Sequence, residues 1–392
     1  MPSAGVLAPK IGHIPSLNGL RAAAIALVVY THAGFPGPFS GGSGVALFFF
    51  LSGYLITTLL RAEWDRFDRI SLGGFYLRRA LRIFPPMYIV IAIVILLSIV
   101  GVLPNTLSPG GTISTSLFFT NYWIIIDGHE NVPAGLGVFW SLAVEEHFYL
   151  VFPLAYIAMR KWLPNRRHQV AVLAAVCIVI LGWRIFLDLN GASDVRLYYA
   201  TDTRVDALLW GAILAIGFNP VYGEVKLPKQ RWVGSAVVIV SAVIFWAATR
   251  IPGEFVYGFT IQSLAAFGIF IPVLLAPQSW IGRVLNWRPI AWIGLISYSL
   301  YLTHRWALIG GEEWLGWPLG AVVGIGFAIL LSWAMRVVVE RPFERLRKRL
   351  SKVGENPNEG PPMEALAHSE VAAATGTSAT VRPTIGRKSA DT

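Results

Sequence analysis

Residues 82–103 read RIFPPMYIVIAIVILLSIVGVL. From Ile83 to Leu103 no side chain carries a charge, and a helix of that length rises about 30 Å, the thickness of the hydrocarbon core of a bilayer. The pattern recurs along the chain. Apolar stretches of similar length lie at 15–35, 43–61, 138–159, 169–188, 203–219, 231–249, 257–276, 291–311 and 315–336. With 55% hydrophobic and only 14% charged residues in 392, and a mean hydropathy of +0.59, the composition excludes a water-soluble monomer. The reading is an all-α, polytopic transmembrane bundle of about ten helices. The first run ends at a histidine and lacks the flanks of a cleavable signal, so it reads as a retained first helix.

An excess of 32 Lys and Arg over 22 acidic residues would suggest nucleic acid in a soluble protein. Here it follows topology instead. With the N-terminus inside, 27 of the 32 basic residues fall in the segments assigned to the cytoplasm, while 103–138 contains no Lys or Arg. The positive-inside rule therefore expects both termini in the cytoplasm, no nucleic-acid partner, and a multi-pass protein of the inner or plasma membrane. Cys177, the only cysteine, lies within an apolar run, which excludes an intrachain disulfide and a cysteine metal cluster.

Three regions break the pattern. Residues 62–80 mix acids, arginines and aromatics, as expected of an amphipathic helix lying on the cytoplasmic interface. Residues 113–126 are too short and polar for a span and read as a re-entrant or interfacial piece. Beyond Lys352 the composition cannot bury a core. The domain reading is an N-terminal segment at 1–14, a membrane domain at 15–341, and a largely disordered cytoplasmic tail at 342–392.

Titratable groups inside hydrocarbon are costly and mark function. His32 follows Arg21 by eleven residues, about 16 Å along one helix, so the two sit near opposite ends of the first span. Glu145 and Glu146 begin the fourth span, Asp202, Arg204 and Asp206 the sixth, and His304 lies in the outer half of the ninth. One membrane layer thus gathers histidines, carboxylates and an arginine, which implies a polar cavity. Helical spacing puts Ser141, Glu145 and Tyr149 on one face. The bland alternatives are a structural histidine, a helix cap with an ion pair for Asp202, Arg204 and Asp206, and a lipid anchor for Arg78, Arg79 and Arg82. The spacing of those three arginines also makes a cationic patch suited to phosphates. Gly41, Gly42, Gly44 and Gly53 suit turns and close helix packing rather than a phosphate cradle, because no strand precedes them.

Six segments in order, SLNGLRAAAIALVVYTH (16–32), LFFFLSGYLI (47–56), FYLRRALRIFPPMY (75–88), FWSLAVEEHFYLVFP (139–153), YATDTRVDALLWGAILA (199–215) and ISYSLYLTH (296–304), resemble the acyltransferase 3 family of integral membrane acyltransferases. The resemblance runs from about Ser16 to Arg341. It implies transfer of an acyl group, often acetyl, from acyl-CoA as co-substrate to a hydroxyl of a cell-envelope polysaccharide or glycolipid. No permanently bound cofactor and no metal are implied. The resemblance also implies that His32 is catalytic and Arg21 essential. His147 and Arg305 stand where members often carry other residues. Many relatives continue into a hydrolase-like soluble domain, for which the tail of this sequence is too short.

Acyl transfer to an alcohol needs a base, a grip on the donor and stabilisation of the oxyanion. On these grounds neutral His32 is expected to be the base, with Glu145 orienting its imidazole as the acid of a hydrolase triad does. Arg78, Arg79 and Arg82 are expected to hold the coenzyme A phosphates, with Arg21 deeper along the path. Ser52 is a candidate oxyanion donor or covalent way station. Tyr149, Asp202, Arg204 and His304 complete the candidate substrate-binding set. Two other readings stay open: an acyltransferase acting on a small product such as a macrolide, and a proton-coupled transporter or flippase, since intramembrane His and Glu also build proton relays.

Overall fold

The computed structural model describes residues 16–228 and 230–353. Among these residues there are helices and no strands: α1 (Leu17–His32), α2 (Gly41–Phe67), α3 (Leu72–Ile99), α4 (Pro109–Ser116), α5 (Thr120–Asp127), α6 (Phe139–Trp162), α7 (Arg166–Leu189), α8 (Asp194–Tyr199), α9 (Thr201–Arg204), α10 (Asp206–Gly217), α11 (Arg231–Ala247), α12 (Phe259–Leu275), α13 (Trp280–Leu285), α14 (Arg288–Leu315), α15 (Leu319–Met335) and α16 (Arg341–Val353). Six helical segments are long and apolar enough to cross a membrane: α2, α3, α7, and the stretches 136–162, 254–275 and 319–347. The other four expected spans fall on helices that miss that standard. α1, α10 and α11 have 16, 12 and 17 residues, and α14, although 28 residues long, carries His304, Arg305, Glu312 and Glu313.

The helices pack as a branched series. α1 lies between α2 and α14, α14 packs on α15, and α2 packs on α10, which also touches α7 and α12; α11 covers α12. The central helix α2 is buried over most of its length, whereas α7 and α15 bury little. Their outward side chains are apolar, with Ile178, Val179 and Leu330 exposed, as a hydrocarbon solvent permits. Two glycines let helices approach closely. A Cβ at Gly44 would strike the Ala24 carbonyl of α1, and one at Gly53 the Leu208 carbonyl of α10, so both serve packing.

Buried ion pairs fasten the frame. Arg184 of α7 meets Asp206 of α10 in a fork, Nη2 to Oδ2 at 2.8 Å and Nη1 to Oδ1 at 3.1 Å, with both side chains fully buried. At one end of the bundle Arg61 bonds Glu224 at 2.6 Å and donates to the Ala215 carbonyl at 2.9 Å, satisfying the C-terminus of α10. Arg160 and Asp65 pair at 2.8 Å at the same end. This arginine-rich end is the one that the charge distribution assigns to the cytoplasm.

Of the three irregular regions, 62–80 and the start of the tail differ from the expectation, and 113–126 agrees with it in not being a span. Residues 62–80 are not a separate interfacial helix. α2 runs on to Phe67, Asp68 turns the chain with φ of 50°, and Ser71 caps α3 by accepting from the Gly74 amide. The stretch 113–126 is divided between α4 and α5, which are separated at Phe118 with φ of 60°, so it is a short helical pair and not a span. The start of the expected disordered tail is helical as far as Val353, because its charges and apolar residues alternate with helical period and Arg347 is buried. Segment 1–14 and residues 354–392 lie outside the described residues.

Candidate active site

α1, α2, α3, α6 and α14 enclose a cavity of about 790 Å³, open mouth included. Its lining brings together six of the expected residues, Arg21, Ser52, Arg79, Arg82, Glu145 and Tyr149, and adds Ser141, Ser297, Tyr298 and Tyr301. Ser141, Glu145 and Tyr149 do share one face of α6, as their spacing requires. The positive charge sits at the arginine-rich end, where Arg21 of α1 faces Arg79 and Arg82 of α3. Pro85 and Pro86 follow directly; lacking N–H groups, they leave the carbonyls of Leu81 and Arg82 without their helical partners, and beside them Tyr298 donates to the Ile83 carbonyl at 2.7 Å.

Glu145 organises the middle of the cavity. Ser52 Oγ donates to its Oε1 at 3.0 Å and the Tyr149 hydroxyl to its Oε2 at 3.0 Å. Both carboxylate oxygens are therefore engaged, and neither meets His32. The expected role of Glu145 in orienting that imidazole gives way to a role in holding the cavity wall. The Ser52 hydroxyl is thus turned to Glu145 in this arrangement.

His32 has a different partner. Its Nδ1 lies 3.2 Å from Nε2 of His304, and the rings stand 5.1 Å apart. His304 is fully buried, and its Nδ1 faces the Leu300 and Tyr301 carbonyls at 3.1 and 2.9 Å. Carbonyl oxygens only accept, so Nδ1 of His304 carries its proton and Nε2 of the neutral ring is an acceptor. His32 must then donate from Nδ1. This leaves Nε2 of His32 with its lone pair, the form a general base requires. His304, expected as a substrate-binding residue, occupies the orienting place expected for Glu145.

Tyr301 links the two features. It lines the cavity, its ring is 5.6 Å from that of His304, and its hydroxyl donates to the Val138 carbonyl at 2.9 Å while meeting Ser141 Oγ at 2.6 Å. Ser297, Tyr298, Tyr301 and His304 recur at helical spacing on α14. That period is the signal by which the two tyrosines could have been found from sequence.

The remaining expected residues stand apart from the cavity. Arg78 turns to Glu63 at 3.2 Å. Asp202 is held by Arg196 at 2.5 Å and by the Trp183 indole at 2.7 Å, and although partial burial opposes it, these donors keep its carboxyl below the usual carboxylate range. Arg204 is fully buried among the rings of Phe49, Trp140, Tyr198 and Phe259, 3.5 Å from the centre of the last. The group Asp202, Arg204 and Asp206 therefore divides into two ion pairs and an aromatic cage. Glu146 lies near Arg79, and His147 Nδ1 meets Thr201 Oγ1 at 2.7 Å. Among the described residues no group of His, Cys, Asp and Glu is arranged to hold a metal ion.

A family model described as an acyltransferase domain matches residues 14–337. The chain belongs to that acyltransferase family. The chain is 31% identical over 305 residues to the peptidoglycan O-acetyltransferase OatA of Listeria monocytogenes, covering 74% of this chain and 49% of the relative. It is 30% identical over 306 residues to YrhL of Bacillus subtilis, covering 74% and 48%, and 31% identical over 315 residues to a protein of Staphylococcus aureus strain COL, covering 75% and 50%. The names of those two carry a provisional O-acetyltransferase assignment. The chain spans about half the length of these curated relatives. No solved structure matches it.

Proposed function

We propose that this acyltransferase moves an acetyl or similar acyl group from acyl-CoA, bound at the arginine-rich cytoplasmic end of the cavity, to a hydroxyl of a cell-envelope polysaccharide or glycolipid at the opposite end, within the plasma membrane. One observation supports the reading above others. A single cavity begins among three arginines and ends at Tyr301, whose ring lies 5.6 Å from that of His304, and His304 in turn holds His32 through Nδ1 and leaves the His32 Nε2 lone pair for a base. Guanidinium groups suit the coenzyme A phosphates, and the long pantetheine arm suits the distance along α1. The name of one relative, a peptidoglycan O-acetyltransferase, supports O-acetylation of an envelope glycan.

In the step itself the acceptor oxygen attacks the thioester carbon while His32 Nε2 takes the hydroxyl proton. His304 Nε2 holds the imidazolium through His32 Nδ1–H, as the orienting acid does in a hydrolase triad. Collapse of the tetrahedral adduct breaks the C–S bond, and the leaving thiolate recovers the proton from His32. The products are the acyl ester and free coenzyme A. Tyr301 stands between the donor arm and the base, so its side chain has to yield for the thioester to arrive. The test is direct: purified protein given labelled acetyl-CoA and envelope glycan should release coenzyme A and label the glycan together. Release of neither would defeat the proposal, and movement of a solute without consumption of acetyl-CoA would return the transporter reading.

A further inference from the structure

Around His32, at the end opposite the arginine-rich one, Arg305 has no role in the scheme above. It follows His304 on α14, is partly buried, and donates from Nη1 to the His32 carbonyl oxygen at 3.3 Å. Among the described residues no carboxylate pairs with it. The other arginines towards this end are occupied: Arg184 by Asp206, Arg196 by Asp202, Arg204 by the Tyr198 carbonyl and four aromatic rings, Arg250 by the Pro38 carbonyl and the Trp246 ring. The charge of Arg305 acts on His32, His304 and His129 alike, so the four groups share one small region.

Aromatic rings stand on the segments that flank His32 and Arg305. Trp317 is half exposed and its indole donates to the Ala33 carbonyl at 3.1 Å. The exposed His129 bonds the Tyr199 hydroxyl at 2.9 Å through Nε2, and Tyr199 is only partly buried. The loop that carries His129 is seated against α14. Gly135, with φ of 74°, presses on the Trp306 backbone, one residue beyond Arg305, where a Cβ would stand 2.5 Å from the Trp306 nitrogen. Aromatic faces accept the apolar side of a sugar. A partly desolvated guanidinium without an anion is costly, and its planar fork matches a carboxylate or phosphate.

We propose that Arg305 is the acceptor-side specificity residue: it binds a carboxylate or phosphate carried by the acceptor glycan and so sets the hydroxyl beside that anion at Nε2 of His32. The inference rests on the acyl-transfer reading of the histidine pair, but its test needs no acyl-CoA. Purified protein in detergent is titrated with a galacturonate trisaccharide, with its uncharged methyl-amide form, and with a neutral trisaccharide phosphorylated on one ring. The wild type should bind at least one anionic form about tenfold or more tightly than the amide, and whichever anion is preferred identifies the source of the charge. Arg305→Gln should bring that ratio close to one. Arg305→Lys, which keeps the charge and loses the fork, should retain more of the preference for phosphate than for carboxylate. Equal binding or no binding of charged and neutral forms by the wild type, or an unchanged preference in Arg305→Gln, would overturn the proposal. So would equal losses for charged and neutral sugars in both variants, which would make Arg305 only a brace for His32. Failure of acyl transfer would show separately, as acetyl-CoA left unconsumed by protein that still discriminates the anion.

Discussion

Replacing His304 by Phe fills nearly the same volume in its buried site but removes the acceptor that faces His32 Nδ1 at 3.2 Å. In the ground state that bond joins two neutral rings and contributes about 1 kcal/mol. Once His32 has taken the acceptor's proton the bond becomes charge-assisted and is worth about 1.5–3 kcal/mol. The difference, about 0.5–2 kcal/mol, is specific to the transition state and predicts a loss of roughly 2- to 30-fold in turnover. His32→Ala removes the base itself and should cost about 10²- to 10⁴-fold. The two residues act as a unit, so the double variant should be no slower than His32→Ala alone. Steady-state release of coenzyme A from purified protein, with KM for acetyl-CoA measured alongside, reads all three variants. The donor KM should move little, because neither histidine lines the donor cavity. Near wild-type turnover in His304→Phe, or multiplied losses in the double variant, would refute the orienting role.

Arg79→Gln with Arg82→Gln should weaken acetyl-CoA binding by at least about tenfold, with added salt imitating part of the loss in the wild type; unchanged affinity in folded protein would move the donor site elsewhere, first to Arg21. Arg184→Ala leaves the fully buried Asp206 carboxylate unpaired and should destabilise the folded protein by about 3–5 kcal/mol, lowering its thermal midpoint in detergent. Replacing both partners by apolar residues of similar volume should cost much less. Tyr301→Phe loses the bonds to Val138 and Ser141 and should loosen the partition, raising hydrolysis of acetyl-CoA by water relative to transfer; an unchanged ratio would remove Tyr301 as the barrier.

The membrane architecture was legible because hydrocarbon imposes a strong rule on composition: uninterrupted apolar runs such as 83–103 have few alternatives to a spanning helix. The same rule blurs where function intrudes. α14 carries His304 and Arg305 and falls below the standard of an apolar span, yet it supplies half of the histidine pair. Residues 62–80 misled for a local reason, since mixed charge is equally compatible with an interfacial helix and with the extended ends of two spans joined at Asp68. Within the site, periodicity on one helix was reliable: it grouped Ser141, Glu145 and Tyr149 correctly. Pairing between helices was not readable. Whether Glu145 or His304 meets His32 depends on how α1, α6 and α14 rotate against one another, and residue types at similar depth do not encode that rotation. Asp202 and Arg204 show the same limit, since depth placed them with the site while Arg196 and four aromatic rings hold them apart from it.

In the proposed reaction an acyl group taken up among Arg21, Arg79 and Arg82 is delivered to an acceptor at His32, on the other side of the membrane. Proteoliposomes of uniform orientation, with labelled acetyl-CoA confined to the arginine-rich side and envelope glycan to the other, measure this directly. The glycan should carry the label as an ester, free coenzyme A should remain with the donor, and His32→Ala should lose both signals. Ester formation only when donor and glycan share one side would contradict it, as would label crossing the membrane with equal ease in the His32 variant.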